Sequence, residues 1–194
     1  MTKGAGDMTG SVLVLHTGGT IGMVETPDGH APVAGALAPY LDWIVENSRG
    51  ELPPIAFLEL DPPIDSANAT PDDWCAIARI LHTHRAAHSG FVVLHGTDTM
   101  AYTASALSFL LPCFGKPVVV TGSQIPITRT RSDGRQNLIG ALQVAARPDV
   151  PEVTLLFGEV LLRATGPRRS TPRDSTRSTP PGSHRLPRSA STSW

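Results

Sequence analysis

Phe91 to Leu111 reads FVVLHGTDTMAYTASALSFLL. Phe91-Val92-Val93-Leu94 is a short apolar run of the kind buried on both faces of a parallel sheet. His95-Gly96 breaks the run, Thr97, Asp98 and Thr99 follow, and apolar residues at helical spacing then continue to Leu111. The stretch therefore predicts a strand, a polar turn and a helix. It sets a hydroxyl beside a carboxylate at the strand's carboxyl end, where open α/β sheets hold their ligands. Two other stretches repeat the arrangement: Val12–Leu15 runs into His16-Thr17-Gly18-Gly19-Thr20, and Val118–Val120 into Thr121-Gly122-Ser123-Gln124. Three such ends would gather Ser and Thr side chains along one sheet edge, which points to hydroxyl chemistry.

Working outward, Ile55–Leu58 and Val153–Phe157 read as further strands, with Val160–Leu162 pairing with the latter across Gly158-Glu159. Helices are predicted over Leu37–Val45 and Gln136–Ala146. Another opens at Thr70, with Pro71 in its first position and Asp72 and Asp73 in its first turn. Val24 to Ala31 reads as a long, mobile polar loop around the turn residues Pro27-Asp28-Gly29. Strands alternating with helices predict a mostly parallel α/β sheet.

A chain of 194 residues can bury one good-sized core. Its net charge is −1, but from Ala164 onward six Arg stand against one Asp, leaving −6 on residues 1–163. A mildly acidic body argues against a nucleic-acid partner. Cys75 and Cys113 are too few and too far apart for a disulfide scaffold or zinc cage, and read as two buried thiols. The only apolar run near the start is Val12–Leu15, far short of the roughly 20 residues of a membrane span. No membrane association and a cytoplasmic location are the expectation. Residues 1–10 read as a flexible N-terminus and 11–163 as the folded domain. Residues 164–194 are Ser, Thr, Pro and Arg with almost nothing to bury, and are expected to be disordered.

Each polar cluster also has a plainer reading. Thr17-Gly18-Gly19-Thr20 could be a tight strand-to-helix turn or a phosphate loop, although the Walker Lys-Ser/Thr and the G-x-G-x-x-G spacing are both absent. Thr97-Asp98-Thr99 could be a helix N-cap; a cap accounts for one of its three residues. His82, His84 and His88 lack matched ligand spacing and an accompanying acid or Cys, so a solvated surface is favoured over a metal site. A threonine hydroxyl becomes a nucleophile only when a base takes its proton, most naturally a desolvated Lys. Lys3 and Lys116 are the lysines present, one in the N-terminus and one before a strand, at the edge opposite the hydroxyls.

TGGTIG at Thr17–Gly22, HGTDTMAYTASALSF at His95–Phe109, VTGSQIP at Val120–Pro126 and RSDGRQNLIGAL at Arg131–Leu142 closely resemble bacterial L-asparaginases of the cytoplasmic kind, from about Ser11 to Arg163. The resemblance implies an amidohydrolase that converts L-asparagine to aspartate and ammonia without cofactor or metal. It implies a doubly wound α/β N-terminal domain and homo-oligomers in which a smaller C-terminal domain completes a neighbour's site. It makes Thr20 the nucleophile and puts Thr97 and Asp98 in the second catalytic group, Asp98 also facing the substrate's ammonium. It assigns Asp65, Ser66 and Ala67 to the segment holding the substrate's backbone groups. His30 falls where the family's mobile lid carries a Tyr.

Departure from the family begins at Ala164. There the family follows LLR with GNR-x-TK, whose Lys pairs with the second threonine and its acid; here the continuation is ATGPRRSTPRDS. Restoring one nucleotide after Arg163 in a back-translation reads GNRATKVDAAGFDAFDSP, so residues 164–194 are read as an out-of-frame tail and the C-terminal domain as absent. Arg169 holds the ordinal place of the Lys, but Arg stays protonated. Three functional expectations stand together: an asparaginase by descent, an inactive fragment lacking its base, and a nucleotide-binding module. The uncovered sheet is expected to aggregate.

Overall fold

The computed structural model describes residues 10–27 and 29–165. Six strands form one sheet in the order β4-β1-β5-β6-β7-β8: β1 (Val12–His16), β4 (Ile55–Glu59), β5 (Gly90–Leu94), β6 (Val118–Thr121), β7 (Val153–Phe157) and β8 (Val160–Arg163). All neighbours run parallel except β7 and β8, which pair as the expected hairpin. The central strands are apolar on both faces because both faces are covered. Leu13, Leu15, Phe91, Val93, Val118 and Val120 pack beneath α2 (Pro71–His84) and α3 (Met100–Leu110). Val12, Val14, Val92, Leu94 and Val119 pack beneath α1 (Ala38–Asn47) and α4 (Gly134–Ala145). The sheet is therefore doubly wound.

The placement of α4 is unusual. Connections β1-α1-β4, β4-α2-β5 and β5-α3-β6 share one hand. The step from β6 to β7 continues in the direction of β5 to β6, yet α4 covers the opposite face from α3. Its hand is thus opposite to theirs, against the strong preference for a single crossover hand. The consequence is local: the segment from Gly122 to Asp133 must pass over the sheet's carboxyl edge. It is fixed there by Asn137 Nδ2 donating to Gly122 O at 2.8 Å and by Asp133 accepting the backbone N–H groups of Gln124 and Ile125.

Four expectations need correction. Val24–Ala31 is not a loop: β2 (Met23–Thr26) and β3 (Gly29–Pro32) form an antiparallel hairpin in which Thr26 pairs with Gly29, so the short runs on either side are close enough in sequence to ladder. Thr17-Gly18-Gly19-Thr20 leads not into an α-helix but into a 3-10 turn, Thr20–Gly22, and that hairpin. The two cysteines are not both buried: Cys75 is half-buried and Cys113 is exposed in the turn after α3. His88 is not a solvated surface residue; it is buried, with Nδ1 2.8 Å from Ser11 Oγ. The expectations for residues 1–9 and from residue 166 onward lie outside the described residues. Ala164 belongs to the core, 1 % exposed, and its carbonyl accepts the Ser105 hydroxyl, so the fold does not stop at Arg163.

Candidate active site

From β1 the chain crosses to β4 over the α1 face, and it enters β5 from the α2 face. Between β1 and β5 the winding reverses, which opens a crevice at their carboxyl ends. Thr17 ties the two ends together, its N–H and its hydroxyl each reaching Leu94 O at 2.9 Å. The segment after β4 closes over them, Ile64 N–H donating to Thr17 O at 2.7 Å.

Glycines allow this approach. Gly19 has φ of 90°, and a Cβ there would stand 2.5 Å from Gly96 Cα. A Cβ on Gly96 would stand 2.2 Å from Ser66 Oγ. Backbone thus meets backbone directly beside Thr20 and Thr97, with Ser66 against the Gly96 turn. Of the residues singled out in the sequence, Thr20, Thr97, Asp98 and Ser66 come together here. Ser66 Oγ donates to Asp98 Oδ2 at 3.3 Å. Thr99 Oγ1 donates to Ser66 O at 2.7 Å, a link the sequence did not reveal because Thr99 reads simply as a helix cap. Thr20 and Thr97 are half-buried and Asp98 is exposed.

Asp65 serves its own turn: it accepts Ala67 N–H and Asn68 Nδ2, capping the 3-10 segment Ser66–Asn68. Ala67 is exposed beside it. His30 stands exposed on β3, opposite Glu25 in the ladder, and forms no hydrogen bond to Thr20 among the described residues. The hairpin carrying it is moored at the far end of the cleft, where Arg129 pairs with Glu25 at 2.7 Å and Ile127 N–H donates to Ile21 O.

Two buried histidines flank the crevice. His16, ending β1, holds Glu59 of β4 through Nδ1 at 2.8 Å, and the other Glu59 oxygen accepts the backbone N–H of Gly35 at 2.7 Å. Its Nε2 is buried with no hydrogen-bond partner among the described residues. His95 is 1 % exposed, and burial pushes its pKa down, against smaller opposing effects of the Gly96 carbonyl and Asp73. Its Nδ1 lies 2.8 Å from Gly96 O and its Nε2 3.0 Å from Thr103 Oγ1.

Lys116 lies just ahead of β6, at the sheet's amino edge, donating to Arg85 O and His88 O at 2.5 Å each. It is the only lysine among the described residues, and the strand length separates it from the crevice. Among the same residues no three His, Cys, Asp or Glu are grouped to hold a metal, and no helix is long and apolar enough to cross a membrane. An open groove of about 460 Å³ between α1 and α4 is lined by Trp43, Asn47, Glu51 and Arg135. It carries none of the strand-end hydroxyls, so chemistry rather than hollow volume locates the site.

A doubly wound sheet with hydroxyls and a carboxylate at its switch point defines a class: open-sheet α/β proteins, whose ligand crevices form at the carboxyl ends of the strands. The family described as Asparaginase, N-terminal, matches residues 11–179, and this chain belongs to it. It is 52% identical over 153 residues to L-asparaginase 1 of Escherichia coli strain K12, covering 79% of this chain and 45% of that one. It is 43% identical over 176 residues to an L-asparaginase of Dirofilaria immitis, covering 78% and 30%. The fold matches a crystal structure of L-asparaginase I from Vibrio cholerae with a TM-score of 0.76 and 44% identity, covering 84% of this chain and 49% of that one. The chain spans about half the length of these bacterial relatives, or less of the longer one.

Proposed function

We propose that this chain carries the nucleophile-bearing part of an amidohydrolase that converts L-asparagine and water to L-aspartate and ammonia. The meeting of the Thr20 and Thr97 turns over Gly19 and Gly96, with Ser66 joined to Asp98, carries the reading. In this scheme Thr20 Oγ attacks the side-chain carboxamide carbon, the C–N bond breaks, and nitrogen leaves as ammonia with a proton. Water then cleaves the threonyl ester and releases aspartate. The Asp98 carboxylate faces the substrate's ammonium, and the segment Asp65–Ala67 takes its α-carboxylate side through Ser66 and backbone groups. The backbone N–H groups of Thr20 and Thr97 have no acceptor among the described residues, which suits them to a developing oxyanion. His30, on the hairpin at the rim, serves the lid.

The scheme needs a proton acceptor beside Thr97, and Lys116 is spent on backbone carbonyls at the far edge. We assign the base to a group outside residues 10–165. Nothing favours the nucleotide reading: the glycine turn opens onto a three-residue 3-10 turn and supplies no α-helix end to cradle phosphate. A thermal-shift comparison tests the proposal. L-Aspartate should raise the melting temperature, Asp98→Asn should abolish the rise, and ATP should have no effect. Stabilisation by ATP alone would refute the assignment.

A further inference from the structure

We infer that Trp74 and Thr103 are positioning residues for the Thr97 turn, acting through the ring of His95, which they hold by its Nε2. The inference deepens the proposed function and rests on that reading for the role of Thr97. The hydrogen bonds leave one consistent set of protons. Trp74 Nε1 can only donate, and it points at Thr103 Oγ1 at 2.9 Å. Gly96 O can only accept, and it faces His95 Nδ1 at 2.8 Å. His95 Nδ1 therefore carries the proton. Its Nε2, being bare in the neutral ring, must accept, and the Thr103 hydroxyl 3.0 Å away supplies the proton. The donor direction runs from α2 through α3 to the β5 turn: indole, hydroxyl, imidazole, carbonyl.

The two middle members are buried in the core. Thr103 is fully buried, His95 is 1 % exposed, and the His95 backbone is itself pinned by its N–H on Thr121 O at 2.8 Å. The end of the chain of donors matters most. Because a trans peptide sets its C=O and N–H on opposite sides, drawing Gly96 O inward to His95 turns the N–H of Thr97 outward, away from the core. That N–H has no acceptor among the described residues. The His95 ring thus aims the Thr97 backbone donor: Gly96 O, which only accepts, keeps the ring proton on Nδ1, and the Thr103 hydroxyl, itself held by Trp74, fixes the ring's orientation through Nε2.

The experiment pairs two readouts on the full chain. Long-range 1H–15N spectra of 15N-histidine-labelled protein should show His95 neutral with the proton on Nδ1. In Thr103→Val, which keeps the shape and removes the hydroxyl, the Nε2 15N resonance should lose its hydrogen-bond shift, Thr97 amide exchange should change, and L-aspartate affinity should fall about tenfold, the effect of one hydrogen bond. Thr103→Ser should restore all three, and Trp74→Phe should give a smaller shift in the same direction. A wild-type His95 protonated on Nε2, or a Thr103→Val protein with an unchanged Nε2 resonance, Thr97 amide exchange and affinity, would overturn the inference. Failure of the wild-type chain to bind L-aspartate would contradict the functional reading alone. The tautomer and the Thr97 amide, which need no ligand, would then decide the inference.

Discussion

Gly19 carries more of the site than its lack of a side chain suggests. With φ of 90° and Gly96 Cα only 2.5 Å from where a Cβ would be, Gly19→Ala is strained twice. The left-handed backbone alone costs about 1–3 kcal/mol, and Gly96 must also move. Urea unfolding of Gly19→Ala should show a loss at the upper end of that range or beyond, and any protein that folds should no longer respond to L-aspartate. A second residue-scale prediction concerns His95 and His88. Burial lowers both pKa values, His84 and Lys116 acting in the same direction on His88. In the unfolded chain both histidines titrate near 6.5. Above that pH neither state binds the protons and stability is unaffected. As pH falls through 6.5 the unfolded state takes up protons that the folded state refuses, so stability drops until the folded pKa values are reached. Stability measured between pH 8 and pH 5 should decline on the acid side; replacing His95 by Gln should flatten the slope.

At the scale of elements, two of the side-chain attachments that hold the β2–β3 hairpin differ in strength. The exposed Arg129–Glu25 pair contributes little, as surface ion pairs do. The Glu59 carboxylate, steadied by His16 and accepting the Gly35 N–H at 2.7 Å, is the firmer of the two. A hydrogen bond to a charged group is worth about 1.5–3 kcal/mol, so Glu59→Ala should speed hydrogen exchange at Gly35 roughly ten- to a hundredfold. Amides of β5 and β6 should not change, and equal acceleration there would mean global destabilisation instead. This strap was not legible in the sequence. His16 reads as the end of an apolar strand, and Glu59 lies 43 positions away on an edge strand, with nothing local to pair them. The strand-end motifs were legible because each is written within one stretch: apolar run, glycine, hydroxyl. The hairpin was missed for the opposite reason, since its polar, half-exposed runs have no periodicity and only the Pro27-Asp28-Gly29 turn announces them. The hand of the α4 crossover is invisible to any pattern of residues, because α4 has an apolar stripe fit for either face.

At the scale of the whole molecule, the outside of α3 carries exposed apolar side chains among the described residues. Phe109 is 76% exposed, Tyr102 65% and Leu110 40%, Tyr102 standing two turns before the other two on the same side of the helix. Grouped exposure of this kind favours association. Light scattering should report concentration-dependent association, reduced in Phe109→Lys; a monodisperse monomer at every concentration would contradict this. The sheet also has two edges, β4 and β8, of which the β8 edge carries the Arg163–Glu152 pair at 3.2 Å. Within this frame the functional reading reduces to one spatial claim, that the ends of β1 and β5 bind a single small amino acid between them. Amide chemical-shift mapping with L-aspartate tests it most directly. The account predicts that the largest shifts fall together on Thr20, Ser66, Thr97 and Asp98. Shifts centred on the α1–α4 groove around Trp43 and Arg135, or no shifts at the strand ends at saturating ligand, would contradict it.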